Sequence, residues 1–274
     1  LHVLQKNKAF RFIEHDVRNA FPEVKASCVY HLACPASPPH YQRDPVATTV
    51  ISMQGTWRVL EFVTKAKIKM LQASTSEIYG DPEVHPQRED YRGSVNTLGI
   101  RACYDEGKRV AETLCMDYHR QYGTRIKIMR IFNTYGPYMD HGDGRVVSNF
   151  ICQALRGEAL TLYGMGKQTR SFCYVDDLID GMVRLMNSDD AFIGPVNIGN
   201  PSEFTIAQLA DAVEKAIGKK LERVQRPLPG DDPKQRCPDI TLARKTLSWE
   251  PKIELAEGLT KTIPWFKMLV EESA

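Results

Sequence analysis

Apolar residues along this chain switch between two spacings. The stretch Ala9-Phe10-Arg11-Phe12-Ile13-Glu14 alternates and ends at His15-Asp16, and Cys28-Val29-Tyr30-His31-Leu32-Ala33 is a short apolar run closed by Pro35 and Pro38. With the runs at 68–73 and 126–132, these predict strands. Between them, Val46, Val50, Met53, Trp57 and Leu60 fall three or four apart, predicting a long amphipathic helix over 44–65 with Pro45 in its first turn. A second helix is predicted over about 99–122, with Val110, Leu114 and Tyr118 on one face. Beyond Phe132 the pattern loosens. Loops or short elements are expected at 143–149, 170–174 and 196–198, a strand-like run at 160–163, and helices at 175–186, 205–217 and from Leu255 onward. The Pro- and charge-rich stretch 227–238 reads as a binding lid or a connection.

Strands alternating with helices of this length predict an α/β fold with a doubly wound parallel sheet, whose ligands bind outside the carboxyl ends of the strands. Ala33, Thr75 and Asn133 all stand at such ends, where a dinucleotide is expected to lie. One part of that device is missing: G-x-G occurs only at Gly142/Gly144 and Gly164/Gly166, neither placed between a strand and a helix nor followed by the third glycine. The expectation is a first βαβ portion upstream of Leu1, or a degenerate copy of it.

Composition narrows the function classes. The charge is nearly balanced, 36 Lys+Arg against 34 Asp+Glu, with no block of like charge, so no nucleic-acid role is expected. No apolar run approaches the roughly 18 residues of a membrane span, and no membrane contact is expected within this chain. Seven scattered cysteines without a C-x-x-C pair read as reduced thiols. Cytoplasmic residence follows, or a lumenal one in the Golgi if an anchor lies upstream of Leu1. His31, Cys34 and Cys103 show no ligand spacing, and no metal is assigned.

The candidate chemistry concentrates between Ser74 and Lys108. Tyr104 and Lys108 are four apart and share a helix face, so the ammonium is expected to lower the phenol's pKa and make it a proton-transfer group. Thr75, at a strand end, adds a hydroxyl for the same substrate oxygen. Together they suit the oxidation of an alcohol beside a nicotinamide; a surface tyrosine beside a solvated lysine is the bland alternative. Asp16 suits a hydrogen bond from an adenine or ribose, or equally a turn. Ala33 and Ala36 leave room for a pyrophosphate, or simply make a tight turn. Asn133, Arg145, Arg170 and Arg236 suit a diphosphate and a carboxylate, against the ordinary alternative of surface ion pairs. Tyr163 offers a ring for a base or a core contact.

These residues sit in segments that resemble the extended short-chain dehydrogenase/reductase superfamily over nearly the whole chain. The likeness is densest in Tyr30-His31-Leu32-Ala33-Cys34-Pro35-Ala36-Ser37-Pro38, Ser74-Thr75-Ser76-Glu77-Ile78-Tyr79-Gly80-Asp81-Pro82, 101–109, Arg130-Ile131-Phe132-Asn133-Thr134-Tyr135-Gly136-Pro137, 143–150, Gln168-Thr169-Arg170-Ser171-Phe172 and 231–236. Within the superfamily it is similar to the branch that decarboxylates UDP-glucuronate. The resemblance implies an NAD-binding Rossmann-like domain over 1–140, incomplete at its N-terminus, with 160–200 partly returning to it. A smaller substrate region would comprise 141–159 and 201–274.

It also implies roles. NAD is the cofactor and UDP-glucuronate the substrate: oxidation at C4 makes the C6 carboxylate β to a ketone, CO₂ leaves, and hydride return gives UDP-xylose. Tyr104 would be the base, with Lys108 binding the nicotinamide ribose. Thr75 would polarise C4–O, Ser76 and Glu77 would hold the sugar and assist proton transfers, and Arg170 would orient the carboxylate or diphosphate. Asn133, Arg145, Tyr163 and Arg236 would bind UDP, and Asp16, Ala33 and Ala36 would line the cofactor. Related dehydratases have Asp-Glu after the hydroxyl residue; here Ser76 stands in place of that Asp, removing the acid that expels water. A homodimer pairing helices 44–65 and 99–122 is expected. Ser52, Arg92 and Thr97 depart from the usual Asn, Trp and Pro. A UDP-sugar 4-epimerase and a truncated, non-catalytic sugar-nucleotide binding protein are the alternatives.

Overall fold

The structure is a computed structural model that describes residues 2–272 apart from 229 and 234. The chain reaches its first strand, β1 (Cys28–His31), and then the short helix Pro38–Tyr41. Helix α1 (Pro45–Val50) is capped by Asp44, whose carboxylate accepts from the Ala47 N–H at 2.9 Å. It runs through a π-helical turn, Ile51–Gly55, into α2 (Thr56–Ala66). Then follow β2 (Lys69–Thr75), α3 (Ala102–Tyr122) and β3 (Ile126–Ile131). After α4 (Val146–Arg156), β4 (Leu160–Tyr163), β5 (Thr169–Ser171) and α5 (Val175–Asn187), strand β6 (Val196–Ile198) closes a four-stranded sheet of order β1-β2-β3-β6, parallel throughout.

Both faces of this sheet are covered, as parallel sheets require. Met70, Ile126 and Ile128 pack with Val59, Leu60, Val63 and Cys115 of α2 and α3 on one side. The alternate residues Leu71 and Met129 pack with Leu178, Met182, Leu185 and Trp249 on the other. A second core gathers Phe150, Ile151, Leu160, Leu162, Leu209 and Phe266. It is built from α4, β4, α6 (Ile206–Ile217) and α7 (Leu255–Glu272). Around it, β7 (Glu203–Thr205) runs antiparallel to β5, β8 (Arg223–Arg226) pairs β4, and β9 (Gln235–Arg236) pairs β5 in parallel.

Three expectations need correction. The alternating run 9–14 is not a strand: no strand among the described residues offers it a hydrogen-bonding ladder, and Phe12 and Ile13 are exposed. The helix expected over 44–65 is interrupted by its π turn. There Ser52 packs against α3 so closely that a Cβ on Gly107 would stand 2.9 Å from the Ser52 Cβ. The stretch 143–149 is partly helical, since Val147, Phe150, Ile151 and Ala154 place a buried stripe on α4.

Candidate active site

Two elements bring the site together. The main sheet ends β2 at Thr75, and Ser76–Tyr79 turn at once into a 3₁₀ helix capped by the Thr75 hydroxyl, which accepts from the Glu77 N–H at 3.2 Å. Alongside lies α3, whose Tyr104 and Lys108 are buried against β2. Lys108 donates to the Ala73 carbonyl at 2.8 Å, with its Nζ 5.8 Å from the centre of the Tyr104 ring. Tyr104 hydrogen-bonds Thr75 and stacks on Tyr41, with ring centroids 5.0 Å apart and planes 5° from parallel. The hydroxyl, phenol and ammonium are therefore neighbours.

The direction of the phenol's shift corrects the sequence expectation. Burial pushes the Tyr104 pKa well up, the Thr75 hydrogen bond pulls only part of it back, and burial pushes Lys108 down. At 5.8 Å, with its ammonium engaged by a carbonyl, Lys108 does not offset the desolvation of its neighbour.

Beside the phenol lies an ion-pair network. Glu77 is held between Arg101, at 2.5 Å, and Arg236, and the two guanidiniums hold its carboxyl far below the usual range against a large burial penalty. Arg170 binds Asp232 at 2.9 Å and the Pro233 carbonyl at 2.6 Å, and Arg101 lies 3.6 Å from Asp232. Asp105 is pushed the other way, up to about 8, first by burial and then by the Glu77 charge. Nε of Arg101, Nη2 of Arg236 and Oδ1 of Asp105 are buried without a hydrogen-bond partner. Such atoms are open to a water or to a polar ligand.

Next to this network is a cavity of about 240 Å³, lined by Arg101, Asp105, Asp231 and Asp232 among others. Its outer wall is latched: Asp231 accepts from Asn96 Nδ2 at 2.9 Å and from the Ile100 N–H at 3.1 Å. Gly99 allows this approach, since a Cβ there would stand 2.1 Å from Asp231 Oδ2.

The other candidates are spread more widely. Arg145 precedes α4 and donates to the Ala36 carbonyl at 3.0 Å, joining the loop after β1 to that helix. Ala33 and Ala36 are exposed, and Asn133 is half-buried after β3. Tyr163 is exposed at the end of β4, so it is not a core ring. Asp16 stands at a turn, not at a strand end; Arg18 grips its carboxylate and holds its pKa down to about 2. Sequence reasoning gave no role to Tyr41, Arg101, Asp105, Asp231 or Asp232. The spacing of Arg101 and Asp105, one helical turn apart around Tyr104, was the available signal.

A buried lysine, a phenol and a hydroxyl at the carboxyl end of a parallel sheet define a class of nicotinamide-dependent enzyme. The chain belongs to the NAD dependent epimerase/dehydratase family, which it matches over residues 8–199. It is 55% identical over 250 residues to UDP-glucuronic acid decarboxylase 5 of Arabidopsis thaliana, a match covering 91% of this chain and 72% of that protein. UDP-glucuronic acid decarboxylase 1 of Danio rerio is 50% identical over 265 residues, 97% of this chain and 63% of that one. The structure of UDP-glucuronic acid 4-epimerase from Bacillus cereus with UDP-glucuronic acid and NAD superimposes with a TM-score of 0.88 at 29% identity, covering 98% of this chain and 85% of that one.

The residues present fit the nicotinamide end of such a cofactor. Lys108 is buried beside the Tyr104 ring, with one protein acceptor and two further N–H donors. A glycine cradle for the pyrophosphate is not among these 274 residues.

Proposed function

We propose that the protein converts UDP-glucuronate to UDP-xylose and CO₂ in an NAD-dependent cycle. The observation that carries this reading is the pair Ser76 and Glu77. Ser76 is a buried hydroxyl, and Glu77 is locked between two guanidiniums, so neither is an acid able to expel water from the sugar. The names of the relatives at 50 to 55% identity point to the same reaction.

Bound NAD⁺ supplies the acceptor, and later the donor, of the C4 hydride. Tyr104 would take the C4 hydroxyl proton in its phenolate form, which burial disfavours in the free chain and which the positive charge of a bound nicotinamide would favour; Thr75 would polarise C4–O and Lys108 would hold the nicotinamide ribose. Once C4 is a ketone the carboxylate is β to a carbonyl, and its electrons pass into an enolate as CO₂ leaves. Arg101 and Arg236, each with a buried nitrogen that has no protein partner, would bind substrate oxygens together with Arg170, whereas Glu77 would serve as their fixed counter-charge. Asp105 is the carboxyl in this network that keeps its proton near neutrality, which suits it to protonate the enolate carbon. Asn133, Arg145 and Tyr163 would bind the nucleotide, and Ala33 and Ala36, in the loop after β1, would line the cofactor.

The 4-epimerase reading keeps support from the Bacillus cereus structure, since both reactions share the first oxidation. Product analysis separates them: UDP-xylose with CO₂ supports decarboxylation, and UDP-galacturonate without CO₂ refutes it. A second copy of the chain is proposed to pair across α1, α2 and α3, where Val46, Met53, Trp57 and Val110 are exposed. Among the described residues no helix is long and apolar enough to cross a membrane, and all seven cysteines are free. The free thiols support a reducing compartment such as the cytoplasm.

A further inference from the structure

Sequence spacing assigned no metal, yet the fold brings three residues of suitable type together from distant segments. His85 lies in the loop after β2, Glu203 opens β7, and Cys237 follows β9. Their ligand atoms all lie within 4.8 Å of one another. We propose that His85, Glu203 and Cys237 form a binding site for a divalent transition metal of borderline softness, with zinc the best-fitting ion.

The donor set is one imidazole nitrogen, one carboxylate oxygen and one sulfur, a combination that favours zinc over magnesium or calcium. His85 Nε2 is 2.8 Å from Glu203 Oε2. Around a tetrahedral ion with bonds of about 2.0–2.1 Å, two such atoms stand roughly 3.3 Å apart, so a small rotation of exposed side chains opens the site. The other oxygen of Glu203 accepts from the Thr169 hydroxyl at 2.6 Å, an outer hydrogen bond of the kind that orients metal-binding carboxylates.

The thiol side is rigid. Cys237 is 3% exposed, and its N–H donates to Gln87 Oε1 at 2.8 Å. Gln87 N donates to the Cys237 carbonyl and Asp239 N to the Gln87 carbonyl, each at 2.9 Å, which fixes the His85 loop against the cysteine. A His–Glu ion pair accounts for two members of the cluster but not for the approach of the sulfur to both. In the metal-free chain the S–H donates to the Pro201 carbonyl at 3.3 Å, and Glu203 and Asp239 add negative field to the burial that pushes the thiol up to about 12. The same field attracts a dication. Binding forms one metal–sulfur bond and releases the thiol proton to solvent, leaving a fourth position for water.

The position gives the ion a consequence. Cys237 directly follows Arg236, the partner of Glu77, and β9 pairs with β5, which carries Arg170. A metal here braces the two strands that present both arginines.

The test titrates Co²⁺ into chelator-treated full-length protein and follows the near-ultraviolet thiolate-to-cobalt charge-transfer absorption, with competition by Zn²⁺. One cobalt per chain with that absorption, displaced by zinc, is expected. It should be lost in Cys237→Ser, weakened at least tenfold in His85→Gln and Glu203→Gln, and kept in Cys103→Ser. Circular dichroism verifies folding; if C237S does not fold, the two variants of the exposed ligands decide. Absence of the thiolate absorption, or affinity unchanged in H85Q and E203Q, overturns the proposal.

Discussion

Replacing Arg236 by methionine keeps most of the side-chain volume and removes one of the two guanidiniums that hold Glu77. The arginine side chain is 3% exposed and the Glu77 side chain 13%, so this is a buried pair, not a surface one. Breaking a buried pair by deleting one partner costs about 3–5 kcal/mol. Because Arg101 still binds Glu77 at 2.5 Å, the lower end, about 3 kcal/mol, is expected. The pH dependence has a definite sign. Glu77 titrates lower in the folded than in the unfolded chain, so its pairing stabilises the fold above the ordinary glutamate range, and that contribution is lost as pH falls through the depressed value. The gap between wild type and variant should therefore be full at about pH 7 and narrow as pH falls below about 4.3. Urea unfolding at both pH values measures it, with Glu77→Gln and the double variant completing a cycle. Glu77→Gln should recover part of the loss in the R236M background. A loss under about 1 kcal/mol, or a gap that does not change with pH, refutes the ion-pair reading.

Other outcomes follow from the same geometry. Tyr104→Phe should fold normally and lose about 10²- to 10⁴-fold in kcat, as measured by steady-state turnover. Asp105→Asn should flatten part of the stability profile: the carboxyl's folded pKa of about 8 exceeds its unfolded value, so wild type loses stability from this group as pH rises between the two. The cost is up to about 1.4 kcal/mol per pH unit, and thermal unfolding at about pH 6 and pH 8 detects it. In the enzyme reading, the same variant should slow the step after CO₂ loss. Gly99→Ala places a Cβ against Asp231, so the latch should open and the KM for the UDP-sugar rise about tenfold, equivalent to about 1.4 kcal/mol.

Much of the sheet was legible because β2 and β3 are short stretches rich in apolar residues flanked by helical spacing, although both are buried on both faces and carry polar members such as Gln72, Lys127 and Arg130. The 9–14 stretch alternates without a strand partner among the described residues, and alternation alone does not make a ladder. The pairing of Tyr104 with Thr75 followed from helical spacing and strand ends. The network around Glu77 did not, because Glu77, Arg101 and the stretch carrying Asp232 and Arg236 are three separate segments whose meeting is a property of topology. The Tyr104 shift was misjudged for a related reason: sequence shows the neighbouring ammonium but not the desolvation that outweighs it. His85, Glu203 and Cys237 are likewise too far apart in the chain to show as a ligand pattern.

The most direct test incubates the full-length protein with NAD⁺ and UDP-glucuronate labelled at C6, then resolves the nucleotide sugars and traps gas. UDP-xylose and labelled CO₂ in equal amounts, with no net NADH, are the expected products. UDP-galacturonate with the label retained would contradict decarboxylation.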